Sequence, residues 1–99
     1  DALKAELRFY NLASDCPKGS LKVADGGPVL FADVAPHATV ARGINPVSAS
    51  LSAGCGNATS EKLPLPKLEP GDHYSLFLTG SAAAPVLSGQ IAKTEGYGK

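Results

Sequence analysis

The chain contains no tryptophan and no methionine, and only three tyrosines and three phenylalanines among its 99 residues. Sandwich domains that bind sugars stack the sugar ring on flat aromatic platforms, so this shortage weakens a polysaccharide-binding reading. The missing methionine removes the usual axial ligand of a β-sandwich copper centre built from two histidines and a cysteine. His37 and His73 are the only histidines, and committing Cys55 to a metal would strand Cys16. Both histidines are better read as surface positions at a loop or strand start. Excess charge is absent too: nine Lys plus Arg balance nine Asp plus Glu. A nucleic-acid binder neutralises phosphates with surplus basic residues, and none are in surplus here. Long-range steering of a polyanionic sugar is removed by the same balance.

Other absences bear on location and chemistry. No apolar run approaches the ~20 residues of a membrane-spanning helix. No basic-then-apolar leader precedes Asp1, so any signal peptide is expected to have been removed already. Cys-x-x-Cys spacing is missing, which argues against redox use of the thiols. There is no Gly-x-Ser-x-Gly elbow, and no Gly-Asp-Ser block followed by Asp-x-x-His. Gly71-Asp72-His73 is a turn without a serine nucleophile. A nucleophilic serine needs a neighbouring base and an orienting acid, and a sandwich this small offers little room for a pocket. No catalytic, cofactor-binding or metal-ligating residue is assigned, and the expectation is a protein that is not an enzyme.

What the chain does have is punctuation. Eleven glycines and eight prolines interrupt it too often for long helices. Between the interruptions the apolar residues alternate as strands do. Leu7 and Phe9 share one face with Glu6 and Arg8 opposite, and Tyr10 falls on the outward side. Leu21 to Val23 is a short strand, and Asp25-Gly26-Gly27 is a hairpin signal because glycine accepts positive φ. Pro28 to Val34 returns, with Val29 and Phe31 inward. Ala38 to Arg42 follows, is broken by Gly43 and Asn45-Pro46, and gives way to Val47 to Ala53, whose serines alternate outward. Leu63 to Pro66 carries two prolines and can only be an edge strand or connector. His73 to Thr79 turns Tyr74, Leu76 and Leu78 inward, and Val86 to Ala92 is the last strand. Phe9, Phe31, Tyr74 and Phe77 are read mostly as core. Asp1 to Glu6 is a helix candidate too short to stand alone.

Seven to eight short strands with regular turn signals predict an all-β, antiparallel two-sheet β-sandwich of immunoglobulin-like character. The length fits one domain over residues 1–99, with an ordered core of about 5–92 and a frayed tail at 93–99. Cys16 and Cys55 lie in loops that a sandwich can bring together at one end. A disulfide closing that loop of ~40 residues would stabilise the fold by roughly 4 kcal/mol in the chain-entropy model. An even pair of cysteines in a small, loop-rich chain suits an oxidising compartment. Asn57-Ala58-Thr59 matches a glycosylation sequon that matters only in a eukaryotic secretory route; its plainer role is a turn beside Cys55. Arg42, beside an irregular break, together with Tyr10 and Asn45, is the candidate partner surface.

Several segments taken together resemble a known family. Leu7-Arg8-Phe9-Tyr10-Asn11-Leu12, Leu21-Lys22-Val23-Ala24-Asp25-Gly26, Val34-Ala35-Pro36 and Leu68-Glu69-Pro70-Gly71 leading into Tyr74 to Gly80 are similar to the C-terminal domain of the AlgF alginate O-acetylation accessory proteins. The most specific block is Arg42-Gly43-Ile44-Asn45-Pro46-Val47. The resemblance covers roughly residues 7–92. It implies a non-catalytic, periplasmic member of the machinery that acetylates this exopolysaccharide. Such a protein would serve as an adaptor beside periplasmic alginate O-acetyltransferases and a membrane O-acyltransferase, with weak contact with alginate itself a further possibility. It also implies one half of a two-domain protein. The alternative is a secreted polysaccharide-binding sandwich module.

Overall fold

The computed structural model describes residues 4–46 and 48–92. Nine strands follow one another: β1 (Ala5–Asn11), β2 (Gly19–Val23), β3 (Val29–Val34), β4 (Thr39–Ile44), β5 (Ser50–Cys55), β6 (Ala58–Thr59), β7 (Leu63–Pro64), β8 (His73–Gly80) and β9 (Pro85–Ala92). They form two sheets, one ordered β4-β1-β8-β9 and the other β3-β2-β5-β6 with β7 also paired to β5. No helix occurs among the described residues, and Ala5 and Glu6, the end of the short helix candidate, lie in β1. The predicted two-sheet sandwich is what forms. One pairing is parallel, β1 with β8, and all others are antiparallel. The two strands stand far apart in the chain, so no tight hairpin dictates their relative direction.

Period-two alternation builds the core. Leu7 and Phe9 of β1, Leu76 and Leu78 of β8, Leu21 of β2 and Leu51 of β5 are all fully buried between the sheets. Each such side chain contributes roughly 1.5–3 kcal/mol of transfer free energy. The Phe9 and Phe31 rings stack across the gap, centroids 6.0 Å apart. At the β2–β3 hairpin, residues 24–27 form a four-residue loop closed by the Gly27 N–H to the Val23 carbonyl, with Asp25 and Gly26 left-handed at φ of 62° and 83°. Leu63–Pro64 is an edge strand, as its prolines demanded.

Three local expectations need correction. Val29 is 56% exposed, not inward. β3 is an edge strand whose register against β2 shifts twice, and Asp33 within it is left-handed with φ 56°, so alternation does not carry through. The strand placed at Val47 to Ala53 runs instead from Ser50 to Cys55, with Ser52 buried. β5 is interior to its sheet, with β2 on one side and β6 and β7 on the other, which leaves a short side chain little exposure. Gly43 does not break β4, which continues in register to Ile44. Val47 and the predicted tail at 93–99 lie outside the described residues.

One end of the sandwich is closed by a polar side chain that sequence patterning passed over. Asn11, at the end of β1, is completely buried. Its Nδ2 donates to the Cys16 carbonyl at 3.0 Å and the Val34 carbonyl at 2.9 Å, and its Oδ1 accepts from the Ala13 N–H at 3.0 Å. Its backbone N–H donates to the Ala38 carbonyl, and its carbonyl accepts from the His37 N–H. Gly19 fits beside it because a Cβ there would stand 2.9 Å from Asn11 Nδ2. The same corner holds the Cys16–Cys55 disulfide, with Cα atoms 5.8 Å apart.

Replacing Asn11 by Ala should strand two carbonyls and one N–H in the interior, at a cost of at least about 3 kcal/mol in urea unfolding. Asn11→Asp should fare no better, because a carboxylate cannot donate to those carbonyls. Cys16→Ser should lower stability by about 4 kcal/mol, and the mass of the native protein should rise by two hydrogens on reduction.

Candidate functional site

The outer face of the four-stranded sheet carries the chain's most concentrated chemistry. Its side chains come from alternate positions of β4, β1, β8 and β9, so the register sets its rows. Gly43, Glu6 and His73 stand side by side in one row. Ala41, Arg8, Ser75 and Gln90 form the next. Thr39, Tyr10, Phe77 and Ser88 form the third.

Glu6 organises the charged end. Arg8 donates to Glu6 Oε2 from Nε at 3.0 Å and from Nη2 at 2.6 Å, and His73 Nδ1 stands 3.2 Å from Glu6 Oε1. The Arg8 hydrogen bond, with help from the charges of Arg8 and His73, holds the Glu6 carboxyl below its ordinary 4.5, and desolvation opposes it only in part. The reciprocal hydrogen bond raises the Arg8 guanidinium. These are solvent-facing pairs, so they orient side chains more than they stabilise the fold. Beside them lies an open groove of about 550 Å³ lined by Lys4, Arg8, Ala41, Arg42, Gly43 and His73, among others. The floor is low because Ala41 and Gly43 have almost no side chain.

At the other end the Tyr10 and Phe77 rings stack, centroids 5.0 Å apart and planes 17° from parallel. Phe77 was expected in the core. The alternation that turns Tyr74, Leu76 and Leu78 inward necessarily turns Phe77 out, into register with Tyr10. Beneath the face, Tyr74 is buried and its phenol is raised by desolvation. Its ring occupies the space that a Cβ at Gly89 would need.

The three predicted surface residues do not form one patch. Arg42 is exposed on edge strand β4, and its Nη1 donates to the Leu30 carbonyl at 3.1 Å, tying β4 to β3 across the open side of the sandwich. Asn45 is exposed just past the end of β4. Tyr10 pairs with Thr39 at the far end, ~20 Å from Asn45 at about 3.3 Å per strand residue. Arg42 and Asn45 share a corner with the groove; Tyr10 belongs to the aromatic pair. Sequence reasoning overlooked Glu6, Arg8 and His73 as a group, since only the β1·β8 pairing brings His73 to Glu6. His37 lies in the turn after β3 with φ 67°, and Cys55 is committed to the disulfide.

The Glu6 carboxylate is favoured in the fold, so its contribution to stability is present above pH 4.5 and is lost as pH falls through its lowered folded value. Glu6→Gln should therefore lower Tm slightly in the neutral region and flatten the acid limb, so that variant and wild type converge as pH falls through the lowered folded value.

No protein-family model matches the chain, and no curated protein matches it significantly. Among solved structures, the C-terminal domain of AlgF from P. aeruginosa superposes with a TM-score of 0.70 at 33% identity, covering 92% of this chain and 98% of that one. A candidate cell adhesion protein from Bacteroides ovatus gives a TM-score of 0.53 at 16% identity, over 91% of this chain and 44% of its own. A non-haemolytic pneumolysin from Streptococcus pneumoniae gives 0.53 at 12%, over 91% and 24%. The chain spans less than half of these last two proteins, and at such identity the likeness is one of fold alone. The first match differs in kind, because a third of the residues coincide over nearly the full length of both chains. On that ground the chain belongs to the family of the AlgF C-terminal domain.

Proposed function

We propose that this domain is a non-catalytic interaction module of the alginate O-acetylation machinery. It works in the periplasm as an adaptor that contacts the periplasmic alginate O-acetyltransferases and, through them or directly, a membrane O-acyltransferase. The observation that carries this reading is the 33% identity to the AlgF C-terminal domain over 98% of that domain. A disulfide in the fold fits an oxidising compartment. Among the described residues, no helix is long and apolar enough to cross a membrane.

The outer sheet face favours a protein partner over a sugar. Tyr10 and Phe77 stack on each other, so each covers one ring face that a sugar would otherwise use. Exposed Arg8 and Arg42 on the groove and the half-buried Tyr10 at the far end of the face are of the residue types that dominate protein–protein hot spots.

Purified domain should bind a periplasmic alginate acetyltransferase saturably in calorimetry or biolayer interferometry. It should give no localised, saturable amide shifts with mannuronate oligosaccharides. Saturable sugar shifts with no acetyltransferase binding would replace the adaptor with the polysaccharide-binding alternative.

A further inference from the structure

We infer that the free edge of β4 is the docking site, and that it takes up an extended, acidic segment of the protein partner as an added strand. This rests on the adaptor reading above. The backbone pattern fixes what that edge presents. The Asn11 N–H donates to the Ala38 carbonyl, towards β4, whereas the Glu6 and Leu12 N–H groups donate to the Asp72 and Leu78 carbonyls on the β8 side. The odd residues of β1 therefore face β4. Their partners Val40, Arg42 and Ile44 turn their backbone groups inward to β1. Thr39, Ala41 and Gly43 turn theirs outward, to no strand, as antiparallel alternation requires.

Exposed strand edges are normally guarded by bulges, prolines, shortness or cover. The edges of the five-stranded sheet are. β3 shifts register twice and contains left-handed Asp33. β6 and β7 have two residues each, and β7 ends in Pro64. β9, the other edge of the four-stranded sheet, is covered only at its start, where Pro85 lacks an N–H and Glu61 and Lys62 lie alongside; beyond that it continues in unbroken register to Ala92. β4 runs six residues in unbroken register with no proline, and it, not β9, lines the groove that holds Lys4 and Arg42. Its outward residues carry only a hydroxyethyl group, a methyl group and a hydrogen. Nothing bulky stands in the way of a second backbone.

Charge selects the occupant. Glu6 is engaged by Arg8 and His73. Lys4 and Arg42, on the groove beside Gly43, form none of the ion pairs among the described residues. The groove lining sets Lys4, Arg8 and Arg42 against Glu6 and the buried Asp72, so the exposed charge beside the open edge is mainly cationic on a chain whose overall charge is zero. A strand bearing carboxylates would meet them, with main-chain hydrogen bonds supplying affinity and the cations supplying selectivity.

The test measures acetyltransferase binding by the wild type and three variants. Ala41→Pro removes an outward N–H while leaving the bonds to β1 in place; Ala41→Ser keeps the N–H; Lys4→Glu reverses a charge that makes no hydrogen bond among the described residues. Ala41→Pro should weaken binding roughly tenfold or more, as expected for the loss of one or two hydrogen bonds. Ala41→Ser should bind as wild type, and Lys4→Glu should bind more weakly, with a reduced dependence on salt. In the wild-type complex the Thr39, Ala41 and Gly43 amides should exchange more slowly than in the free domain, which reads the same edge even where Ala41→Pro fails to fold. Wild-type binding that Ala41→Pro leaves unchanged, or unchanged exchange at those amides, overturns the edge and spares the adaptor reading. No wild-type binding at all removes the adaptor reading and this inference with it. A wild-type dimer in sedimentation that Ala41→Pro dissolves reassigns the edge to a second copy of the chain.

Discussion

A buried amide at the end of a strand holds this sandwich closed. Where β1 stops, the chain must leave the sheet and pass through a loop to β2, while β3 arrives at the same corner and turns towards β4. Each of those crossings leaves peptide groups that no ladder satisfies, and burying them unpaired would be costly. Asn11 meets that demand with one short side chain that donates twice and accepts once. Its own backbone pins the 35–38 turn. No buried side-chain polar atom among the described residues is left without a partner.

The disulfide sits at the same corner and works by a different physics. The amide acts on the folded state by satisfying groups that water cannot reach, whereas the bridge acts largely on the unfolded chain by limiting its freedom. Together they fasten the loop after β1 to the end of β5, so that β1 enters the sheet in one register. That register decides the rest. With Asn11 held, Phe9 and Leu7 must face the core, and Tyr10, Arg8 and Glu6 must face outward. The outer face is thus a consequence of how the corner is closed. Stability is concentrated away from that face, which leaves its Ala41 and Gly43 positions free of any packing duty.

Much of the architecture was legible in the order of residues. Alternation at Leu7/Phe9 and at Tyr74/Leu76/Leu78 marked strands and their buried faces, Asp25-Gly26 marked a tight turn, and the prolines of Leu63 to Pro66 marked an edge. Patterning failed where one strand's surroundings overrode its own period. Val29 follows the alternation but lies on an irregular edge, and Ser52 is polar but lies in an interior strand. The functional surface was half legible. Tyr10 could be placed outward from its own strand and Arg42 beside an irregular break, yet their separation along the sheet could not be read. Phe77 could have been recognised from the alternation that assigned its neighbours, but its aromatic character pulled it towards the core. Asn11 could not be singled out, because nothing local tells a buried amide from an exposed one.

Sequence alone determined that this is a β-sandwich with a disulfide-fastened loop, and which face of each regular strand is apolar, because a period of two is a property of single strands. It also carried the family resemblance, since that resides in residue identity along the chain. Only the tertiary structure decided which strands became neighbours, above all the parallel pairing of β1 with β8 that sets His73 beside Glu6 and Phe77 beside Tyr10. It likewise decided that β4 ended at an edge with small residues and exposed cations beside it. Pairing between distant strands is chosen by the packing of the whole core and the closure of its corners, and no short stretch of residues encodes that choice.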